Sequence, residues 1–424
     1  MILRVKDFAS KVGSGVTPRG GADVYLSEGI PFFRSQNISN EGLLLDDIVY
    51  ISEEINESMS STKLFPGDIL LNITGASIGR CYYLPENFSD GNVNQHVCII
   101  RPKKNVISSF LYYNLISKVG QDQIAFSQTG ANREGLAKED ICNFLFNIPS
   151  LKEQKAIVDF LDKKTAEIDT QVSLIDKKVK ALQKLKQSLI SSVVTKGLTP
   201  NVELKDSGIE WLGTIPAHWE VKRLKDIAYL YSGLTGKSGD DFSPEPETGM
   251  RPYIPFTNIL NNNQIDPSIV NYVRISDNEI QNVVKKGDLI FLMSSEDYDS
   301  IAKSAVVTSD IDVMYLNSFC RGLRIIHNNI CPKFLNYLLS ANVCRDALRF
   351  EARGFTRINI KIDKIASHFT FFPPIAEQQA IADYLDKKTA EIDTQIEVLN
   401  KKVATYKKLK QSLIDEVVTG KRKI

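Results

Sequence analysis

The chain has 424 residues, of which 43% are hydrophobic and 24% are charged, and its formal net charge is +1. This length is too great for one ordinary core and predicts two or three domains of a soluble globular protein. No run of residues approaches the roughly 20 apolar residues of a membrane span. The start of the chain lacks a signal-peptide layout, and its six cysteines include no CxxC pair, so we expect a cytoplasmic protein without a zinc site or a disulfide framework.

Residues 1–148, the first variable region, predict an α+β domain around a curved sheet. Short β-branched and aromatic runs alternate with turn residues, and one amphipathic helix is predicted around 108–126. The polar loops carry side chains of the kinds that suit base edges and phosphates. The candidate DNA contacts of this region are Arg34, Gln36, Asn37, Thr74, Ser77, Arg80, Asn94, Gln95, Asn132 and Arg133.

Residues 149–197 predict one long helix, which Pro149 precedes and Gly197 and Pro200 close. Apolar residues recur with the 3.5-residue period of a coiled coil, while Asp, Glu and Lys fill the other faces. Some 44 residues at about 1.5 Å each would make a rod of roughly 65 Å. The predicted seam consists of Leu161, Ile168, Val172, Ile175, Val179 and Leu182.

Residues 198–223 form a joint that contains both tryptophans of the chain, Trp211 and Trp219. A flexible linker would be rich in Gly and Ser and would lack Trp, so we expect this joint to dock on a surface. His218 precedes Trp219, but no Ser, Cys or carboxylate constellation accompanies it. We therefore interpret His218 as a structural residue and not a catalytic one.

Residues 224–372, the second variable region, predict another α+β domain, with an amphipathic helix around 332–351. Its candidate DNA contacts are Asn258, Ser295, Lys303, Asn317, Arg321, Arg353, Thr356 and Arg357. Residues 319–364 are locally rich in Arg and Lys. Two interpretations of this basic cluster stay open, a phosphate-binding surface and a solvated helix face.

Residues 373–424 predict a second long helix with its own seam, and this segment repeats the first. Residues 153–197 match residues 377–421 at 29 of 45 positions, and the block Asp162–Gln171 recurs unchanged as Asp386–Gln395. The seam of the second helix consists of Leu385, Ile392, Ile396, Leu399, Val403 and Tyr406.

The two variable regions match each other only loosely. The chain therefore alternates a variable region, a repeated helix, a second variable region and a second repeated helix. If the two halves had simply diverged after a duplication, the variable regions and the helices should differ between the halves to a similar extent. The pattern favours a common frame that carries two different readers. A lone helix would expose its seam, so each copy needs a partner. We favour antiparallel pairing of the two copies within one chain, and dimerisation between chains is the alternative.

Motifs of catalysis are missing from the sequence. It has no GxxxxGK[ST] phosphate loop, no GxGxxG after a strand, no Asn/Asp-Pro-Pro-Tyr/Phe element and no HExxH. We therefore expect no catalytic residues, no metal site and no cofactor in this chain.

The motifs that enter the helices and the joint together resemble one family. Pro149–Gln154 and Pro373–Gln378 each lead into a long helix, and the joint runs Lys205–Gly213 and Ile215–Trp219. Along its whole length the chain resembles the specificity subunit of a type I restriction–modification enzyme. One departure is that the first half starts at Met1 without a Trp-Leu-Gly joint, so we expect the N-terminus to pack differently from the matching point of the second half.

The resemblance implies two target-recognition domains, each reading one half of a bipartite, non-palindromic site in double-stranded DNA. The paired helices would set the spacer and dock two modification subunits. Those partners would bind S-adenosylmethionine, and restriction subunits would add ATP- and Mg-dependent translocation and cleavage. Two other hypotheses stay open: a stand-alone coiled-coil interaction protein without sequence-specific DNA binding, and a single-chain nuclease or methyltransferase whose site lacks a recognisable motif.

Overall fold

The computed structural model describes residues 1–128, 135–276, 278–310 and 312–424. The chain divides into two units, one of residues 1–176 with 399–424 and one of residues 177–398. Each unit contains one variable region and portions of both long helices. The candidate contacts Asn132 and Arg133 lie outside the described residues.

The first variable region is a mixed structure of short strands and helices. Its helices are α1 (Val5–Phe8), α2 (Glu53–Ser58), α3 (Ser108–Ile116), α4 (Lys118–Ser127) and α5 (Lys138–Asn143). Its strands are β1 (Ile2–Arg4), β2 (Ala9–Ser14), β3 (Ile30–Phe33), β4 (Ile38–Ser39), β5 (Gly42–Leu43), β6 (Val49–Ile51), β7 (Ile69–Asn72), β8 (Cys81–Tyr83), β9 (Asn92–Val93), β10 (Val97–Pro102) and β11 (Leu145–Asn147).

Antiparallel pairing builds the main sheet of this region in the order β2-β10-β7-β8, and a three-stranded sheet has the order β6-β3-β9. Every residue of β7 is buried, because one face packs on α3 and its neighbours while the other meets a second apolar cluster. The predicted helix around 108–126 is two helices. Ser117 adopts an extended conformation between them, and its hydroxyl accepts a hydrogen bond from Gly120 N of the second helix.

The rest of the chain begins with α6 (Leu151–Lys196) and the joint strands β12 (Leu204–Asp206) and β13 (Thr214–Pro216). Helices α7 (Leu224–Ile227), α8 (Phe256–Asn261), α9 (Pro332–Ser340), α10 (Asn342–Glu351) and α11 (Ile362–Ala366) precede the final helix, α12 (Ile375–Val418). The strands are β14 (Glu220–Arg223), β15 (Ala228–Ser232), β16 (Phe242–Ser243), β17 (Met250–Ile254), β18 (Asn271–Arg274), β19 (Leu289–Leu292), β20 (Ser294–Ser295), β21 (Ser304–Val306), β22 (Tyr315–Leu316), β23 (Cys320–Ile325), β24 (Ile358–Asn359) and β25 (Phe369–Phe372).

The second variable region has the same architecture as the first. Its main sheet has the order β15-β23-β19-β21, which corresponds to β2-β10-β7-β8, and a second sheet has the order β16-β18-β17-β22. The predicted helix around 332–351 is again two helices, broken at Ala341, which is extended. At the chain start, β1 pairs with β11 in the antiparallel way that β14 pairs with β25. The expectation that this point packs differently is therefore wrong for the strand itself.

The long helices bury the seam that the heptad pattern predicts. Every predicted seam residue is buried or half-buried. In the first unit, Leu161 and Ile168 of α6 share an apolar cluster with Leu413 and Val417 of α12. In the second unit, Val193 of α6 shares a cluster with residues 381–385 of α12. The two helices therefore pair within one chain, as the preferred interpretation predicts.

The direction of the pairing follows from contacts within each unit. In the first unit, Asp169 pairs with Lys410, while Phe160 lies beneath the guanidinium of Arg422. In the second unit, Lys186 pairs with Asp393, and Gly197 lies next to Glu377. Residue numbers rise on one helix as they fall on the other, so the pairing is antiparallel in both units. Among the described residues, no helix combines the length and the apolar character that crossing a membrane requires.

Candidate nucleic-acid interface

The two variable regions hold their loops on one backbone frame. Ile73 N donates to His96 O (3.0 Å), and Met293 N donates to Phe319 O (3.1 Å). These bonds extend from the ends of the matching strands β7 and β19, so His96 and Phe319 occupy equivalent positions. Different side chains at equivalent positions are what two readers on a common frame require.

A buried ion pair stabilises this frame in each region. Arg101 binds Asp68 through two hydrogen bonds of 2.6 and 2.7 Å, and Arg324 binds Asp288 through two of 2.9 and 2.7 Å. Both aspartates are buried, and each follows a glycine with positive φ that turns the chain into its strand. Such bidentate pairs fix geometry strongly. Arg324 is consequently a structural residue and not part of a phosphate-binding surface.

Separately predicted loops of the second variable region converge on one pocket of about 200 Å³. The predicted contacts Ser295 and Arg357 both line it. Polar contact prediction missed its aromatic walls, Phe256 and Phe319, which are 43% and 46% exposed. Their positions in the sequence could have indicated these two aromatic residues, because each lies within two residues of a predicted polar contact. The complete lining is Phe256, Leu260, Leu292, Ser294, Ser295, Glu296, Asp297, Phe319 and Arg357.

The side chains around the position shared by His96 and Phe319 differ in chemistry between the two regions. In the first, Thr74 Oγ1 lies 2.7 Å from His96 Nδ1. In the second, the hydroxyl of Ser294 is buried and has no hydrogen-bond partner among the described residues. The guanidinium of Arg357 lies 4.6 Å from the centre of the Phe319 ring, a cation–π contact. The second site thus combines apolar walls with one guanidinium, the carboxylates of Glu296 and Asp297, and one unsatisfied hydroxyl.

The first variable region has a polar site instead. Gln95 Nε2 lies 3.0 Å from His96 Nε2, and the Thr17 hydroxyl hydrogen-bonds to Gln95 Oε1. With Thr74, these residues form a continuous polar chain at the surface, and Gln95 is exposed. The structure therefore brings the predicted contacts Thr74 and Gln95 together. His96 and Thr17 join them, although neither was among the predicted contacts.

Three predicted contacts lie inside the fold. Asn37 is buried and donates to Leu44 O and Asp47 O. Its counterpart Asn258 is buried and donates to Asp266 O and Ile269 O. Asn94 is buried too, and it accepts a hydrogen bond from His96 N. The amide nitrogens of Asn37 and Asn258 and the amide oxygen of Asn94 are bonded inside the fold, so these side chains hold loops in shape.

Other predicted contacts are partly committed to internal bonds. Arg34 and Gln36 both bind Asp47. Lys303 is half-buried and donates to Leu260 O, and burial lowers its pKa. Arg321 donates hydrogen bonds to Ser318 O and Cys320 O. The Asn317 side chain accepts a hydrogen bond from Phe319 N. Arg353 donates a hydrogen bond to Ala352 O. Ser77 is half-buried, whereas Arg80 and Thr356 are exposed.

The basic cluster of residues 319–364 is not one surface. Lys333 pairs with Asp386 at 2.7 Å, and Lys364 pairs with Glu351 at 2.6 Å. Arg345 is 6% exposed, and burial lowers its pKa to about 10. Most of these cations serve the packing of the region or its ion pairs, so neither interpretation describes the cluster as a whole.

Buried glutamines join each variable region to the helix that follows it. Gln154 accepts a hydrogen bond from Ile107 N (2.9 Å) and donates to Asn105 O (3.0 Å). Gln378 accepts from Cys331 N (2.8 Å) and donates to Asn329 O (3.0 Å). These are the glutamines of the two helix-entry motifs. Their role was missed because a sequence does not show which glutamines are buried.

Two further repeated contacts hold the helices. The hydroxyl of Tyr113 donates to Asp162 (2.6 Å), and that of Tyr337 donates to Asp386 (2.7 Å). Gln411 of α12 donates to Ile116 O in the first unit (3.1 Å), and Gln187 of α6 donates to Ser340 O in the second (2.8 Å). Each variable region therefore forms hydrogen bonds with the start of one long helix and with the end of the other.

The joint docks as its tryptophans predict. Trp219 is fully buried and stacks on Phe371, with ring centres 6.0 Å apart. His218 Nε2 lies 2.8 Å from Glu377 Oε2, and Trp211 stacks on His368 at 5.3 Å. The described residues contain no cluster of His, Cys, Asp and Glu that could hold a metal ion.

Comparison with known proteins identifies relatives along the whole chain. A family model described as the type I restriction modification DNA specificity domain matches residues 1–177 and 216–401. The putative type I restriction enzyme MjaX specificity subunit of Methanocaldococcus jannaschii is 24% identical, over 100% of this chain and 93% of that protein. The EcoKI specificity subunit of Escherichia coli is 22% identical, over 92% of this chain and 82% of that protein.

Solved structures share the fold. A chain from a study of complex assembly and conformational transition of the type I R-M system superposes with a TM-score of 0.73 at 16% identity, over 99% of this chain and 97% of that one. The HsdS subunit of Thermoanaerobacter tengcongensis gives a TM-score of 0.52 at 17% identity, over 99% and 96%.

Proposed function

Because the chain belongs to the type I restriction modification DNA specificity family, we propose that it is the DNA-reading subunit of a type I restriction–modification complex. Each variable region reads one half of a bipartite site. One observation carries this proposal: equivalent backbone positions hold His96 in one region and Phe319 in the other. Two unlike reading sites imply two unlike half-sites, so the recognised sequence is not a palindrome.

The helices supply a docking surface for two copies of one partner. Exposed apolar side chains recur at matching positions of both repeats, Leu174 with Val398 and Leu185 with Leu409. One member of each pair lies in each unit. A surface that appears twice suits two identical partners. We assign these partners as two modification subunits, and restriction subunits complete the complex.

The reaction belongs to the partners. S-adenosylmethionine, ATP and Mg are bound by the modification and restriction subunits, and this chain contributes recognition and positioning. Base contacts provide specificity, while contacts to phosphates position the protein. The near-neutral net charge of +1 leaves much of the attraction to DNA phosphates to those partners.

The helices also set the spacer between the half-sites. α6 has 46 residues and α12 has 44, so each extends for about 65–70 Å at 1.5 Å per residue. Since the pairing is antiparallel in both units, lengthening both helices at their middles preserves every contact at their ends. The distance between the half-sites then follows the length of the helices.

The test is co-expression of the full chain with its modification subunit, followed by sequencing of methylated DNA. A seven-residue segment with a preserved heptad is inserted after residues 177 and 401. Seven residues add about 10 Å, which corresponds to about three base pairs at 3.4 Å per step. We expect a spacer about three base pairs longer with both half-sites unchanged.

A matched control carries the same segment in the exposed loop at residues 245–248, and it should leave the spacer unchanged. An unaltered spacer in the helix variant, with methylation intact, would contradict the role of the helices. Absence of any sequence-selective methylation or DNA binding by the wild-type complex would contradict the proposed function as a whole. A stand-alone coiled-coil protein would give that second result.

A further inference from the structure

The pocket of the second variable region has the chemistry to read a base. The side chains of Phe256, Leu260 and Phe319 form its walls, and the buried side chain of Leu292 forms its floor. Because both phenyl rings remain nearly half-exposed, an apolar group that enters the pocket displaces water from aromatic surface. This displacement is favourable in proportion to the apolar area that is covered.

Polar groups at the pocket limit what fits beside that apolar group. The Ser294 hydroxyl is buried and has no hydrogen-bond partner among the described residues, so rotation of this side chain toward the pocket would offer a donor to an incoming acceptor. Asp297 is committed, because its carboxylate accepts a hydrogen bond from Ser300 N at 2.6 Å. Two cations flank the site: Arg357 lies over Phe319, and Lys303 donates to Leu260 O. Glu296 and Asp297 also line the pocket, so these cations offset two carboxylates and leave the apolar walls to select the ligand.

In the major groove of DNA, one base presents an apolar group beside an acceptor. Thymine displays its C5-methyl group next to O4, whereas cytosine displays an amino donor and no methyl group. Phenylalanine is among the side chains that contact thymine methyl groups. Resting on the proposed function, we propose that this pocket reads the methyl group of one thymine in the half-site of the second variable region, with Phe256 and Phe319 as the specificity-determining residues.

The experiment uses the complex with modification subunits and the methylated sequence that it recognises. Synthetic duplexes replace each thymine of both half-sites in turn with uracil, which lacks only the 5-methyl group. At one position of one half-site, affinity should fall about fourfold, the equivalent of about 0.8 kcal/mol for one buried methyl group. In the Phe319→Ala complex the same replacement should have no effect, and Phe256→Ala should reduce it.

Matched controls separate the pocket from general damage. Phe355→Ala removes a fully exposed aromatic of the same region that does not line the pocket, and His96→Ala alters the equivalent position of the other region. Both complexes should retain the full effect of uracil. Retained recognition of the other half-site shows that the pocket variants are folded.

Several results would overturn the inference while sequence-selective binding, and with it the proposed function, stands. These are a half-site of G·C pairs alone, a uracil effect that survives Phe319→Ala, and no uracil effect at any position. Discrimination of a cytosine that disappears in Glu296→Gln would assign the pocket to that base instead. A rise in 2-aminopurine fluorescence that depends on Phe319 would show that the pocket holds an extruded base.

Discussion

Lys186 Nζ lies 2.6 Å from Asp393 Oδ2, and Lys410 Nζ lies 2.7 Å from Asp169 Oδ2. Both lysines occupy seam positions where the heptad pattern otherwise requires apolar residues. A charge at such a position selects register and orientation at some cost in stability. These ion pairs therefore define which residues of the two helices face each other.

The first prediction concerns this pair. A double-mutant cycle with Lys186→Ala and Asp393→Ala should give a coupling free energy of about 0.2–1 kcal/mol, because both groups are partly exposed. Urea unfolding of the four proteins measures it. The coupling should shrink in 1 M salt, which screens charges. Lys184→Ala, at an exposed position two residues away, serves as the control, and a coupling indifferent to salt would contradict the ion-pair interpretation.

Replacement of a buried glutamine should lower the free energy of unfolding much more than loss of the Lys186–Asp393 ion pair does. Gln378→Leu leaves Cys331 N and Asn329 O without this partner. An unsatisfied buried group costs about 1–3 kcal/mol, so the two together cost about 2–6 kcal/mol. We expect the free energy of unfolding to fall by that amount, as it should for Gln154→Leu in the first unit. The exposed helix residues Gln171 and Gln395 provide matched Gln→Leu controls, expected within about 0.5 kcal/mol of wild type. Equal losses at buried and exposed sites would refute the anchoring role.

Acid should weaken the packing of the joint through His368. Burial lowers the pKa of His368 to about 4 from its usual 6.5, so folding favours the neutral ring. This contribution to stability is complete above pH 6.5 and is lost as the pH falls toward 4, by about 3 kcal/mol in all. In His368→Phe, which keeps a ring against Trp211, the unfolding free energy should fall less steeply between pH 6.5 and 4. Parallel pH profiles for the two proteins would exclude His368 as the cause.

The polar site of the first variable region should govern one half-site only. Gln95 is exposed, and its amide is oriented by Thr17 and His96. A glutamine amide suits the edge of adenine, and one good pair of contacts is worth about 1–3 kcal/mol of discrimination. Methylome sequencing with Gln95→Ala should show relaxed recognition at one position of one half-site. Relaxation in both half-sites, or the same change in Gln395→Ala, would count against this assignment.

The sequence predicted the features that depend on period and repetition. The seam followed from the 3.5-residue spacing of Leu161, Ile168 and Ile175, and the docked joint followed from its tryptophans. Both are chain-local patterns with one dominant physical cause, the burial of apolar surface. Pairing within one chain was also predictable, because each copy needed an apolar partner and the other copy lay in the same chain.

Residues of the candidate interface were harder to predict. Asn37 and Asn258 were predicted as DNA contacts, but both side chains are buried and bonded to loop carbonyls, because asparagine serves loop geometry as readily as base recognition. Phe256 and Phe319 escaped a search for polar side chains. Whether a loop residue faces inward depends on how the whole loop folds, as the bonds from Asn258 to Asp266 O and Ile269 O illustrate. Periodicity contains no information about such contacts.

The anchors that recur in both units between a variable region and the helices involve backbone carbonyls and amides, a tyrosine–aspartate pair and two glutamines. None of them includes a side chain that lines the pocket or belongs to the polar chain around Gln95. Mutations in the pocket and in the polar chain can therefore accumulate without loosening the attachment to the helices. New sequence preferences can evolve one half at a time, while the partner subunits continue to meet an unaltered surface.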